Sequence, residues 1–311
     1  MTLIIAGYNH EKSIDFKKFA DSPVPPYTPS MDLNGLFVVA DSAITSHSGG
    51  RTLLNGFKKV YTIEAKLWKP YFMPDGSFRD YNEVYDKNQG FVAFSGSTLT
   101  AQHIINSITA HLESLRISYN PKSFGEPIEY NVVRHCQRNP LKTDSITYWD
   151  DYTFLNRDFE GLLTGDVISD CIEYSINEAL RSAGRYKLSI EEFRDMHTEL
   201  VSGFWCPVKK RHELYVYRML SKQGEDGVLV AYTEKILVPS NEVAVLGMRK
   251  EFELRAQNEF NSAMADFESP AERLHAFLDL AINEVQDNGS KQIDRPTSFR
   301  KLKNGRIKRI Q

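Results

Sequence analysis

The order in which two hydrophobic periodicities follow one another constrains this chain most. Strand-length apolar runs come first, then two stretches of helical spacing, then strands again, two more helical stretches and a short final strand. LIIAG at 3–7 reads as a buried strand, GLFVVADSAIT at 35–45 as an apolar strand stopping at a carboxylate, and GFVAFSGS at 90–97 as a third. In RTLLNGFKKVYTI at 51–63 a turn at Asn55-Gly56 leads into a strand with Phe57, Lys59 and Tyr61 on one face. Ala101, Ile104, Ile105, Ile108, Leu112 and Leu115 predict a helix from Thr98 to Leu115. Leu163, Val167, Cys171, Ile176 and Leu180 predict another over about 160–182. Strands follow at 199–206, 212–219, 227–232 and 241–247, then a helix at 248–265. The last helix opens on a capping box, Ser269-Pro270-Ala271-Glu272, with proline at the first helical position.

This block order is not the strand–helix alternation of a doubly wound parallel sheet. It fits an α+β chain in which two antiparallel sheets pack together with helices on both outer faces. A single domain over 1–311 is expected, without internal repeats. The proline-rich SPVPPYTPSMD at 22–32 reads as a loop, 64–88 as a polar, aromatic segment, and 119–158 as polar and irregular.

Composition excludes several classes. A net charge of −3 gives no general attraction to nucleic acid or anionic lipid. Apolar runs fall far short of a membrane span, and the first residues lack the pattern of a secretory signal. Cys136, Cys171 and Cys206 are odd in number and widely spaced, so neither a disulfide framework nor a zinc site is expected, and a reducing cytoplasm is the simplest setting. The histidines lack ligand spacing: His103 and His111 stand eight apart on one helix, and His212-Glu213 lacks a second histidine. No phosphate loop is present, so the chain itself is not expected to burn nucleotide, and neither a metal nor a cofactor is expected. The basic end, about 299–311, reads as a solvated tail rather than a nucleic-acid patch.

Four fragments carry chemistry together: Thr2 in MTLIIAG, Asp41 in VVADSAIT, Lys59 in FKKVYTI and Gly96 in FSGST. If Met1 is removed, Thr2 carries both a hydroxyl and a free α-amine. A threonine hydroxyl needs a base to act as a nucleophile. An α-amine, with a pKa near ~7.7–8, can be partly neutral and supply one.

Taken in order, the initial threonine, the strand ending ADSxxT, the KKV strand and the glycine turn before a long helix resemble the proteasome β-subunits and the related bacterial HslV peptidases. These are N-terminal nucleophile hydrolases. The resemblance covers about 1–7, 35–63 and 90–118, and more weakly 160–300. It implies a four-layer αββα sandwich with surface insertions at about 8–32, 64–88 and 119–158. It implies that Lys59 stabilises the Thr2 alkoxide, that Asp41 fixes Lys59, and that the Gly96 N–H faces the oxyanion. It also implies that Asp287 and Ser290 of the D-x-x-S run at 287–290 lie near Thr2. Substrate contacts carried over are Ile44, Thr45, Phe57, Tyr61, Phe94 and Thr98, with bulky Phe94 favouring small or medium apolar side chains. Peptide or protein substrates and a homo-oligomer, a ring or related assembly, are implied; an ATPase partner is not readable. Met248 departs from the family, standing after Gly247 where a relay serine is expected.

Each residue has a plainer reading. Thr2 could be chance, Asp41 a strand-end cap, Lys59 a solvated lysine, Gly96 a permissive turn and Asn288-Gly289-Ser290 an idle glycosylation sequon. Two alternatives to a peptidase stay open: a catalytically silent assembly protein of the same fold, and an acylase using the same mechanism on a non-peptide amide.

Overall fold

The computed structural model describes residues 2–13, 30–46, 51–121, 126–143, 148–183, 189–223 and 229–310. In chain order the strands are β1 (Leu3–Ser13), β2 (Ser30–Ala40), β3 (Ile44–Thr45), β4 (Thr52–Leu54), β5 (Val60–Phe72), β6 (Phe78–Gly96), β7 (Leu115–Asn120), β8 (Glu129–Val133), β9 (Thr198–Cys206), β10 (Arg211–Gln223), β11 (Leu229–Leu237), β12 (Val243–Gly247), β13 (Ser298–Lys303) and β14 (Arg306–Arg309). The helices are α1 (Thr98–Leu112), α2 (Pro140–Thr143), α3 (Gly165–Ala183), α4 (Ile190–Met196), α5 (Arg249–Ala265) and α6 (Pro270–Asp287). The result is a mixed α+β protein. Its five-stranded sheet runs β12-β1-β2-β13-β14 and its seven-stranded sheet β11-β10-β9-β6-β5-β7-β8, with β3 and β4 forming a small hairpin. Neighbours are antiparallel except β5 and β7.

Strand alternation explains the continuous apolar runs. In β1, Leu3 and Ile5 join a cluster with Phe252 and Phe260 of α5 and Leu274 and Leu278 of α6. Ile4 and Ala6, pointing the other way, meet Val60, Phe91, Ala93, Val201 and Val216 of the other sheet. Val92 and Phe94 turn from that sheet toward Ile104 and Ile108 of α1 and Ile172 and Ile176 of α3. The apolar stretches of β1 and β6 are buried on both faces, so neither face of them is polar.

Several expectations need revision. The 64–88 segment, read only as polar and aromatic, forms the outer halves of β5 and β6, closed by a turn in which Met73 N–H donates to Ser77 O at 2.8 Å. Cross-strand pairs along β5 and β6 satisfy its backbone, which lets polar residues occupy long strands. The 119–158 segment holds β8, α2 and a 3-10 turn at Asn156–Phe159, gathered on Phe154, whose ring meets Phe72, Tyr130 and Trp149 at 4.8–5.0 Å. Residues 8–13 and 30–32 continue β1 and β2, which pair antiparallel, so the loop expected at 22–32 is strand at 30–32, while 22–29 of the proline-rich stretch lie outside the described residues. The basic end is no free tail: Phe299 and Leu302 are buried, and β13 and β14 extend the five-stranded sheet. Helix α1 stops at Leu112, leaving Leu115 to start β7, and α3 begins at Gly165 and buries Ile168 and Ile172 where Val167 was expected. Ser269 does precede α6 with Pro270 at its first position, but its hydroxyl donates to Asn9 Oδ1 at 3.1 Å instead of capping the helix. Among the described residues no helix is long and apolar enough to cross a membrane.

Candidate active site

Thr2 stands immediately before β1, held by backbone. Its carbonyl accepts the Met248 N–H at 2.9 Å, and Leu3 pairs with Gly247. Gly247 has φ +86°, and a Cβ there would lie 1.9 Å from the Thr2 carbonyl oxygen. Only glycine lets the two chains approach this closely.

Asp41 leaves the end of β2. Its N–H donates to Leu3 O at 3.2 Å, and its own carboxylate accepts the N–H groups of Leu3 and Ala43, each at 2.9 Å. Lys59 comes from the other sheet, one residue before β5, its carbonyl accepting the Phe94 N–H at 3.3 Å. Its Nζ donates to both Asp41 oxygens and to Thr2 Oγ1, each at 2.9 Å. Three acceptors match the three ammonium hydrogens. The two charged side chains are 3% and 0% exposed, so the pair bridges the sheets in the interior.

Burial disfavours charge on both partners. It pushes Lys59 below the ordinary lysine range and Asp41 above the ordinary carboxylate range, while their mutual attraction opposes each shift. A lysine so placed donates to Thr2 Oγ1 from a site poor in water, where its charge acts on the oxygen with little screening.

Gly96 ends β6 with φ +102°, and a Cβ there would meet His197 O at 2.1 Å. The adjoining Ser97 N–H donates to that same carbonyl at 2.9 Å. Thr2, Lys59 and Gly96 share the wall of a cavity of about 570 Å3 with Ile44, Thr45, Phe94 and Thr98. Phe57 and Tyr61 stand behind it, their rings packed on Phe94 at 6.3 and 6.4 Å.

Asp287 and Ser290 are not on that wall. Helix α6 runs through Asp287, which stays exposed at its end, and Ser290 N–H donates to Val285 O at 3.0 Å to close that helix. Ser290 lines a second cavity, with Gln292 on the wall of both. Asp294 makes the connection to the site instead. Its carboxylate accepts from Asn55 and Gln286 at 2.9 Å, and its carbonyl accepts the Ser42 N–H beside Asp41 at 3.2 Å. Met248 buries its side chain in the α5–α6 cluster.

Sequence reading missed Arg194, Asp195, His197 and Gln292 on the cavity wall. The first three follow from α4, whose signal was legible: Ser189 and Glu192 form a capping box, with Glu192 N–H donating to Ser189 Oγ at 3.2 Å. Among the described residues no group of three or more His, Cys, Asp or Glu could hold a metal ion.

No family model matches the chain, and no curated protein matches it. Among solved structures it is similar to Anbu (ancestral beta-subunit) from Yersinia bercovieri, at 9% identity and a TM-score of 0.45, over 99% of this chain and 87% of that one. At that score the likeness carries no weight for function, which rests on the side chains above.

Proposed function

We propose that this chain is a threonine-type N-terminal nucleophile amidohydrolase, a proteasome-like peptidase acting through Thr2 once Met1 is removed. The observation that carries the reading is the Lys59 ammonium, 2.9 Å from Thr2 Oγ1 and anchored on a fully buried Asp41. A structural ion pair has no need to spend its third hydrogen on a threonine at the start of a strand. Met1 itself lies outside the described residues.

In this mechanism the freed α-amine takes the Oγ1 proton as Oγ1 attacks an amide carbon. Lys59 stabilises the oxygen as it loses that proton. The Gly96 N–H meets the developing oxyanion, an interaction whose loss typically costs ~10²–10³ in rate. The amine then protonates the departing nitrogen, and water releases the acyl group from Thr2. Substrate backbone runs between Thr45 and Gly96, with Phe94 limiting the side chain admitted.

The finer architecture we assign is the four-layer αββα sandwich, supported by three hydrophobic clusters: one between the sheets and one under each helical pair. A homo-oligomer in a reducing cytoplasm, acting on peptides or proteins, completes the proposal.

One observation favours the silent assembly protein: Met248 occupies the place of a relay serine and is buried among apolar side chains. Intact mass and an epoxyketone label separate the readings. The peptidase is expected without Met1, with adduct on Thr2 that is absent in Thr2→Ala. Retained Met1 and no adduct would leave the scaffold. A panel of fluorogenic peptides and acyl amides tells a peptidase from an acylase.

A further inference from the structure

Away from the Thr2 cavity, one group of side chains sets a nucleophile against a base. Cys136, between β8 and α2, is exposed. His111, in the last turn of α1, places Nε2 3.5 Å from its Sγ, and Tyr174 of α3 places its hydroxyl 3.6 Å from the same sulfur. The other ring nitrogen, Nδ1, lies 2.9 Å from Ser175 Oγ. The Ser175 hydroxyl donates its proton to the Cys171 carbonyl at 2.6 Å, so it can only accept from His111. Nδ1 therefore carries the imidazole proton, and Nε2 presents a lone pair to the thiol. Burial, and then the neighbouring His135 and Arg134, hold His111 below its ordinary value, which keeps it neutral and basic near neutrality.

A cation and a second imidazole stand close by. Arg134 lies 3.7 Å over the Tyr174 ring, next to the sulfur that Tyr174 can donate to, and the His135 ring stacks on His111 at 5.1 Å. Glu178 acts on both His111 and Tyr174 from α3, and Cys171 lies behind in the core. The contrast with the other cysteines is sharp: Cys171 and Cys206 are buried, and burial pushes the Cys171 thiol up to about 12.

We propose that Cys136 is a covalent modification site, a thiol activated by His111 that exchanges with low-molecular-weight disulfides. The Cys136 proton passes to His111 Nε2 as Sγ attacks one sulfur of the disulfide. A new S–S bond forms, the reagent's S–S bond breaks, and the departing thiolate takes the proton from Nε2. Cys136 is oxidised to a mixed disulfide and the reagent is reduced to one thiol. Neither Thr2 nor its cavity takes part, so the site stands or falls apart from the peptidase reading.

The test is the reaction of the full chain with 4,4′-dithiodipyridine, followed by peptide mapping. Adduct is expected on Cys136, forming at least tenfold faster in the unmodified chain than in His111→Gln near neutrality. The rate should rise with an inflection below about 6.5, where an unassisted thiol would inflect near ~8.5. Ser175→Ala, which frees the tautomer, should slow the reaction without shifting the adduct. Should His111→Gln fail to fold, the pH profile of the unmodified chain decides alone. Adduct on Cys171 or Cys206, or a Cys136 profile inflecting near ~8.5, overturns the proposal. So does a His111→Gln rate equal to that of the unmodified chain.

Discussion

Removing the Lys59 ammonium while keeping its bulk, as in Lys59→Met, should harm the fold as well as the chemistry. The Asp41 carboxylate is wholly buried and accepts from Leu3 and Ala43 N–H and twice from Lys59. In the variant it keeps only the two backbone donors and faces no cation. Breaking a buried pair in this way typically costs about 3–5 kcal/mol, because the remaining charge is stranded. At roughly 2 °C per kcal/mol for a long chain, Tm should fall by about 6–10 °C. The sign of the pH dependence follows. With the lysine gone, burial of Asp41 is opposed only by the Leu3 and Ala43 N–H groups, and its folded pKa rises further above the unfolded value of about 3.9. Between the two values the folded state holds more protons than the unfolded, so stability falls as pH rises through that window. The deficit should be small near pH ~4 and grow as pH rises toward neutrality. Adding Asp41→Asn should restore much of the loss, since a neutral amide can keep a backbone hydrogen bond without a stranded charge. Thermal melts of the four proteins of this cycle at both pH values test the account. A Lys59→Met loss under ~1 kcal/mol, or an Asp41→Asn change that adds to it, would refute the idea that the pair is closed off from water.

Other consequences are narrower. Gly247→Ala places a Cβ 1.9 Å from the Thr2 carbonyl oxygen, so epoxyketone labelling of Thr2 should drop at least tenfold though Lys59 and Asp41 are intact; unchanged labelling would mean that Thr2 is not held from this side. Burial lowers Lys59, so as pH rises it loses its proton before an ordinary lysine does. The alkaline fall in labelling rate should therefore come below ~10.4, and a limb at that value would remove Lys59 from the reaction. Phe94→Leu, on the cavity wall, should shift the preferred peptide side chain toward larger apolar groups in a fluorogenic panel, at a stability cost of about 1–3 kcal/mol; an unchanged order of preference would place the side-chain pocket elsewhere.

The sequence by itself determined the apolar strands, the four long helices and the order in which they follow one another. LIIAG, GLFVVA and FVAF are apolar on both faces of a strand, and only a strand covered on both sides leaves such a pattern. Thr2, Asp41, Lys59 and Gly96 could be singled out because each stands at an element end, where a side chain escapes the sheet's own packing. What the tertiary structure alone decided was distance between residues far apart in the chain. That Lys59 leaves one sheet and reaches Asp41 and Thr2 at the strand ends of the other depends on how the sheets face each other, which no local pattern encodes. The same reason accounts for Asp287, legible as a motif yet turned to solvent by one more turn of α6, and for Asp294, which has no motif and ties the last helix to the strand end beside Asp41. The long polar strands of 64–88 were hidden because their stability comes from cross-strand hydrogen bonds and not from an apolar face.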